Sequence, residues 1–168
     1  YSNNGAQGAD SIAIGKNALT KTTDAVVIGR GATTSVGTRD SQGNVVVIGA
    51  QAKTISQNAV VIGQGAEIYD DVLNLHDSVA IGAVAKISGF AQESIAIGSG
   101  SKANLAHSTV VGQAASSTGQ GGSALGYKAI ASGINATALG ANSEASLGGS
   151  VALGAGSTTT AAQATAAA

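Results

Sequence analysis

A five-residue phrase, small–apolar–apolar–aliphatic–Gly, recurs ten times along the chain. Its copies are Ser11–Gly15, Ala25–Gly29, Val45–Gly49, Ala59–Gly63, Ser78–Gly82, Ser94–Gly98, Ser108–Gly112, Gly122–Gly126, Ala136–Gly140 and Ser150–Gly154. Successive terminal glycines lie 14, 20, 14, 19, 16, 14, 14, 14 and 14 residues apart, so the period is 14 with three insertions. A fixed period of this kind marks a repeat architecture in which each unit stacks on the next. Three residues after every phrase glycine stands Ala or Ser, from Ala18 and Ala32 to Ser143 and Ser157. Two further on stand Thr20, Thr34, Thr54, Ile68, Ile87, Ala103, Ser117, Ala131, Ala145 and Thr159. This alternation has the period of a strand.

One 14-residue coil then reads as two short strands joined by two tight turns. The phrase glycine takes one turn, where a residue without Cβ reaches positive φ. Asn or Asp precedes six of the phrases (Asp10, Asp24, Asn44, Asn58, Asp77, Asn135) and suits the left-handed residue of the other turn. With coils about 4.8 Å apart, ten of them make a rod of roughly 45 Å. The Ala-rich tail has helical propensity but is too short for a helix stable alone.

Within the phrase, Ile12 and Ile14, Val79 and Ile81, and Ile95 and Ile97 are expected to fill the coil. The residue between them would then point outward: Ala13, Val27, Val47, Val61, Ala80, Ala96, Val110, Ala124, Ala138 and Ala152. No copy is polar there, and a strand apolar on both sides is buried on both. These ten residues are therefore read as the contact face of an obligate, parallel homo-oligomer, since a long bare apolar stripe is an aggregation liability. On the second strand, eight of ten outward positions four after the glycine are polar, among them Lys53, Glu67, Lys86 and Lys102; Leu19 and Ile130 depart from this.

Composition narrows the core further. The 168 residues include 25 Gly, three Tyr, one Phe and no Pro, Cys, Met or Trp. Such a core is thin and aliphatic, without the aromatic bulk of ordinary domains. Charged residues make up 10% with a formal net charge of -1, which leaves no electrostatic footprint for nucleic acid or anionic lipid. Without cysteine there is no disulfide framework. No apolar run reaches the roughly 20 residues of a membrane-spanning helix, and no signal peptide is visible. With no initiating Met the chain is expected to be an excised fragment, any membrane anchor lying outside it.

The phrases SVAIG and SIAIG, with Gly-x-x-Ala/Ser after them and Asn or Asp before, resemble the head repeat of trimeric autotransporter adhesins, the YadA-like head. The resemblance spans essentially residues 5 to 160. It implies an all-β, left-handed parallel β-roll solenoid of about ten 14-residue coils, assembled as a homotrimer. It also implies display outside a bacterial outer membrane and adhesion to host matrix or cells. Residues 1–160 would form the head, and 161–168 an Ala-rich tail leading toward a neck and stalk. No neck motif follows Gly154, and STVVG, GSALG and ATALG are more polar than the family phrase.

Insertions in repeat arrays map to loops, often on the binding face. The first adds six residues within 35–44, the second five within 68–77 and the third two around 88–93. Candidate ligand contacts are Arg39 and Asp40 in the first, and Tyr69, Asp70, Asp71 and His76 in the second. Solvated loops are the competing explanation. Asp70, Asp71, His76 and Asp77 lack EF-hand spacing and a helical His pair, so no metal is assigned, and no cofactor. Neither His76 nor His107 accompanies a nucleophile elbow or a cysteine, which argues against a hydrolase. The Gly-x-Gly pairs lack a third glycine and a following helix, so turn geometry explains them.

The function expected is non-enzymatic attachment to host extracellular matrix, such as collagen, fibronectin or laminin, or to cell receptors. Bacterial self-association is the alternative. An ice-binding solenoid, using Thr20, Thr34 and Thr54 as an exposed ladder, ranks below both, since Ile68, Ile87 and Ala103 end the ladder. A hexapeptide acyltransferase needs a six-residue period, which 14 does not accommodate.

Overall fold

In the computed structural model, which describes residues 5–34, 43–69 and 76–160, the chain winds through ten coils. Twenty short strands form two ten-stranded, wholly parallel sheets, and no helix occurs among the described residues. Even-numbered strands, from β2 (Ile12–Ile14) to β20 (Val151–Leu153), carry the phrases. Odd-numbered strands, from β1 (Gly5–Ala6) to β19 (Glu144–Ala145), form the second sheet. Each strand pairs with its counterpart one coil away. Ala13 stands beside Val27, Val27 beside Val47, and Ala80 beside Ala96.

Two turns define the coil edges. On the trailing edge, after the phrase, the glycine carbonyl accepts a hydrogen bond from the amide three residues on, as in Ala18 N to Gly15 O at 3.1 Å. The phrase glycines Gly15 to Gly140 sit at φ between 131° and 144°. A Cβ on Gly126 would lie 2.6 Å from the carbonyl oxygen of Gly140 in the next coil, so the backbone stack itself excludes any side chain. On the leading edge all six expected Asn and Asp residues adopt left-handed φ, between 47° and 60°. Glu93, His107, Gly121 and Gly149 do the same before the remaining four phrases. The third insertion is absorbed in β11 (Lys86–Phe90), where the register with β13 (Lys102–Leu105) shifts between Ile87 and Phe90 around Gly89 at φ 75°.

The interior corrects the expected facing of the phrase. Val27, Val47, Val61, Ala80, Ala96, Val110, Ala124 and Ala138 are completely buried within a single chain. Ala152 is nearly so, and Ala13 packs half-buried against the same core. The middle residues therefore line the coil, and their assignment to an external contact face does not hold. Residues two apart share a side of a strand, so the first phrase position is inside as well: Ala25, Ala59, Ser78, Ser94 and Ala136 are buried. The opposite strand adds Ala18, Ala32, Ala66, Ile68 and Ile87. Only small or slender side chains fit between two sheets joined by such short turns, and the bulkier Ile pairs are turned out.

Buried hydroxyls in this core bond one another and the backbone, as the cost of an unpaired polar group favours; Ser56 Oγ, which has no partner, is the exception among the described residues. Thr34 Oγ1 bonds Thr20 Oγ1 at 3.2 Å, and Thr22 Oγ1 bonds Thr34 Oγ1 at 3.2 Å. Ser94 N donates to Ser78 Oγ at 3.3 Å, and Ser108 N to Ser94 Oγ at 3.1 Å. The threonine ladder of the ice-binding reading is thus internal, with Thr20, Thr34 and Thr54 all buried.

Two stability outcomes follow from the turns. Gly126→Ala meets both backbone overlap and left-handed strain, and is expected to cost about 3 kcal/mol or more. Gly100→Ala has open space at φ 68° and should cost only about 1 kcal/mol. Equal losses of Tm for the two would contradict the stacking argument. Val84 holds φ 49° on the trailing edge, a strained conformation for a β-branched residue. Val84→Asn should therefore raise stability by about 1 kcal/mol in chemical denaturation.

Candidate functional site

The outward side of the phrase sheet is a continuous aliphatic surface. The second and fourth phrase positions of all ten coils project there, and seventeen of these twenty residues are Ile, Val or Leu. Thr109, Ser123 and Thr137 are the exceptions. Side chains of like position stack in register, as Ile12 beside Val26, Ile81 beside Ile97, and Leu139 beside Leu153. Ile12 is 51% exposed, Ile14 56% and Leu153 68%. Nine spacings of about 4.8 Å give the stripe a length near 43 Å. An apolar patch of that extent on a soluble protein marks an interaction surface.

The outward side of the second sheet is polar. Lys53, on β7 (Lys53–Thr54), reaches Glu67 on β9 (Glu67–Tyr69) at 2.9 Å, and Lys86 approaches the other oxygen of Glu67 at 3.6 Å. Lys102 extends the column without an ion pair to any described residue. Tyr69 closes β9, 41% exposed, with the Lys53 ammonium 5.8 Å from its ring centre. Phe90, the only phenylalanine, is 64% exposed beside Leu105 at the register shift.

The leading edge carries a chain of polar side chains from coil to coil. Asn44 Nδ2 donates to Asn58 Oδ1 at 3.3 Å, and Asn58 Nδ2 donates to Asp77 Oδ1 at 3.0 Å. His76 Nδ1 lies 2.8 Å from Asp77 Oδ2. These hydrogen bonds, first from His76 and then from Asn58, hold the Asp77 carboxyl below its usual range. Two coils on, His107 Nδ1 stands 3.4 Å from Glu93. Thr23, Asp24, Gly43, Asn44, Gln57 and Asn58 line an open groove of about 510 Å³ on this edge.

Of the candidate ligand contacts, Arg39, Asp40, Asp70 and Asp71 lie outside the described residues. The other two occupy different surfaces: Tyr69 faces out of the second sheet, and His76 sits on the leading edge, bridged to Gln57. Aligning the fourth residue after each phrase glycine places Lys53, Glu67, Lys86 and Lys102 in one outward polar column; the ion pairs that join Glu67 to both neighbouring lysines were not anticipated. Phe90 escaped as well, because its coil departs from the 14-residue period. No group of three or more His, Cys, Asp or Glu residues suited to a metal ion occurs among the described residues.

Residues 6–32, 91–115 and 117–143 match the YadA head domain repeat. Among solved structures, the chain is similar to the crystal structure of the collagen-binding domain of the Yersinia adhesin YadA, at 22% identity and a TM-score of 0.52. That similarity covers 79% of this chain and 81% of the other, and at such identity it speaks for the fold. No curated protein matches.

A depressed carboxyl such as Asp77 contributes stability that is fully present above its unfolded pKa of about 3.9, and that is lost as the pH falls through the lower folded value. Asp77→Asn keeps a residue tolerant of left-handed φ and removes the titration. Below about pH 4 the Tm of the wild type should fall more steeply than that of the variant. Parallel curves in that range would contradict the pairing.

Proposed function

We propose, from the match of residues 6–32, 91–115 and 117–143 to the YadA head domain repeat and the likeness in fold to the Yersinia domain, that the chain is a YadA-like head domain, the non-enzymatic adhesive head of a surface-displayed homotrimer that attaches bacteria to host extracellular matrix. The observation that carries this reading is the aliphatic outer side of the phrase sheet. Identical stripes related by a threefold axis would cover one another along their full length, which no small ligand does. The residues proposed for that contact are those flanking the buried middle position, with Ile12, Ile14, Leu139, Val151 and Leu153 the most exposed and Ile95 and Ile97 partly exposed.

Burying the phrase sheets around an axis leaves the second sheet for ligand. Collagen is the first candidate, because the similar Yersinia domain is described as collagen-binding. Three copies of a repetitive polar surface on one rod favour multivalent attachment, where avidity replaces strong single contacts. Fibronectin, laminin and cell receptors are further targets of the same kind, and display outside the outer membrane follows from the same premise.

Ile97→Asp places a charge on the proposed contact without touching the coil interior. It should reduce the molar mass from trimer toward monomer in light scattering while the β-type circular dichroism is kept; an unchanged mass would overturn the contact. Wild-type head should bind immobilised collagen in preference to albumin, and the Ile97→Asp monomer should bind at least about tenfold more weakly through lost avidity. Absence of binding to collagen, fibronectin and laminin, together with clumping of beads coated with the head, would move the function to self-association.

A further inference from the structure

The aliphatic stripe explains association but not alignment. Its rungs repeat every coil with nearly the same side chains, so a copy displaced by one coil spacing, about 4.8 Å, keeps most of the apolar contact. Something else must penalise that slip. The first two coils carry a feature suited to this. The phrase of the first coil is bracketed by Asp10 before Ser11 and Lys16 after Gly15, and that of the second by Asp24 before Ala25 and Arg30 after Gly29. The acids occupy the leading edge, the cations the trailing edge, and all four residues are exposed. The five-residue phrase, six residue steps or roughly 20 Å of extended chain, separates acid from cation within one coil, and none of the four makes an ion pair with a described residue.

Both edges carry an open groove. Lys16, Asn17, Arg30, Gly31 and Gln51 line a groove of about 190 Å³ on the trailing edge, and Asp24 lines the groove on the leading edge. Lys21, exposed between buried Thr20 and Thr22, faces out of the second sheet and belongs to neither.

Resting on the homotrimer reading above, we propose that the opposed charged edges of the first two coils pair between copies of this chain and set their axial register. Three parallel copies with phrase sheets toward a rotation axis must bring the trailing edge of each against the leading edge of the next. A pure rotation keeps coil level, so Lys16 and Arg30 meet Asp10 and Asp24. Displacing one copy by a coil leaves Arg30 opposite Asn44 and breaks one of the two matches, which is how charge complementarity selects register more than affinity.

Charge reversal tests the pairing. Two double variants, Asp10→Lys/Asp24→Lys and Lys16→Glu/Arg30→Glu, each place like charges at every junction; the quadruple variant restores opposite signs. Sedimentation equilibrium of the intact chain at low salt should show the dissociation midpoint of each double variant raised about tenfold in protein concentration. The quadruple variant should return near wild type, and the differences should shrink at about 0.5 M salt. Because the chain has no cysteine, Asp24→Cys/Arg30→Cys should give a covalent trimer on oxidation. A wild type that is monomeric overturns the homotrimer reading itself. A trimeric wild type with unperturbed double variants, or with double variants the quadruple fails to rescue, overturns the edge pairing alone.

Discussion

Each phrase glycine from Gly15 to Gly140 sits where the carbonyl of the glycine one coil on occupies the space of a Cβ. That contact keeps the backbones of successive coils in close registry at one edge, at φ values that side chains rarely adopt. With the trailing edge so fixed and the leading edge closed by another left-handed residue, a coil has a set width. The two sheets then stand too close for Leu or aromatic bulk, and along most of their length for Ile. Ala, Ser, Thr and Val fill the interior, and Ile appears inside only at Ile68 and Ile87. The chain's larger aliphatic side chains are consequently displaced to the outside of the phrase sheet, where they need another protein surface.

This division explains which parts of the structure were legible in the sequence. The number of coils, the parallel pairing and the two turns follow directly from the 14-residue period, from glycine, and from Asn or Asp at fixed positions. The facing of the phrase does not. In a strand apolar on both sides, period-two alternation cannot say which side is inward. Size assigned Ile12 and Ile14 to the interior, as it would in a thick core. The first position of the phrase held the better signal: Ser, Ala or Gly stands there in nine copies and shares its side with the middle residue.

The candidate site was less legible for a different reason. Tyr69 and His76 flank one insertion yet serve different surfaces, since a strand end and a turn diverge within a few residues. The Lys53–Glu67–Lys86 column is built by stacking residues 14 and 19 apart; the period places these residues on one outward face, but not the ion pairs between them. In a solenoid, surfaces are built from columns across coils. Function is therefore carried by what recurs at one position: apolar on the phrase sheet, cationic on part of the second sheet, acidic on the leading edge.

The most direct test of this account is the molar mass of the unmodified chain in solution, by sedimentation equilibrium across a range of concentrations. The outward aliphatic stripe predicts about three times the 15.9 kDa of one chain at micromolar concentration. A stable, soluble 15.9 kDa species at all concentrations, with the stripe left bare to water, would contradict it.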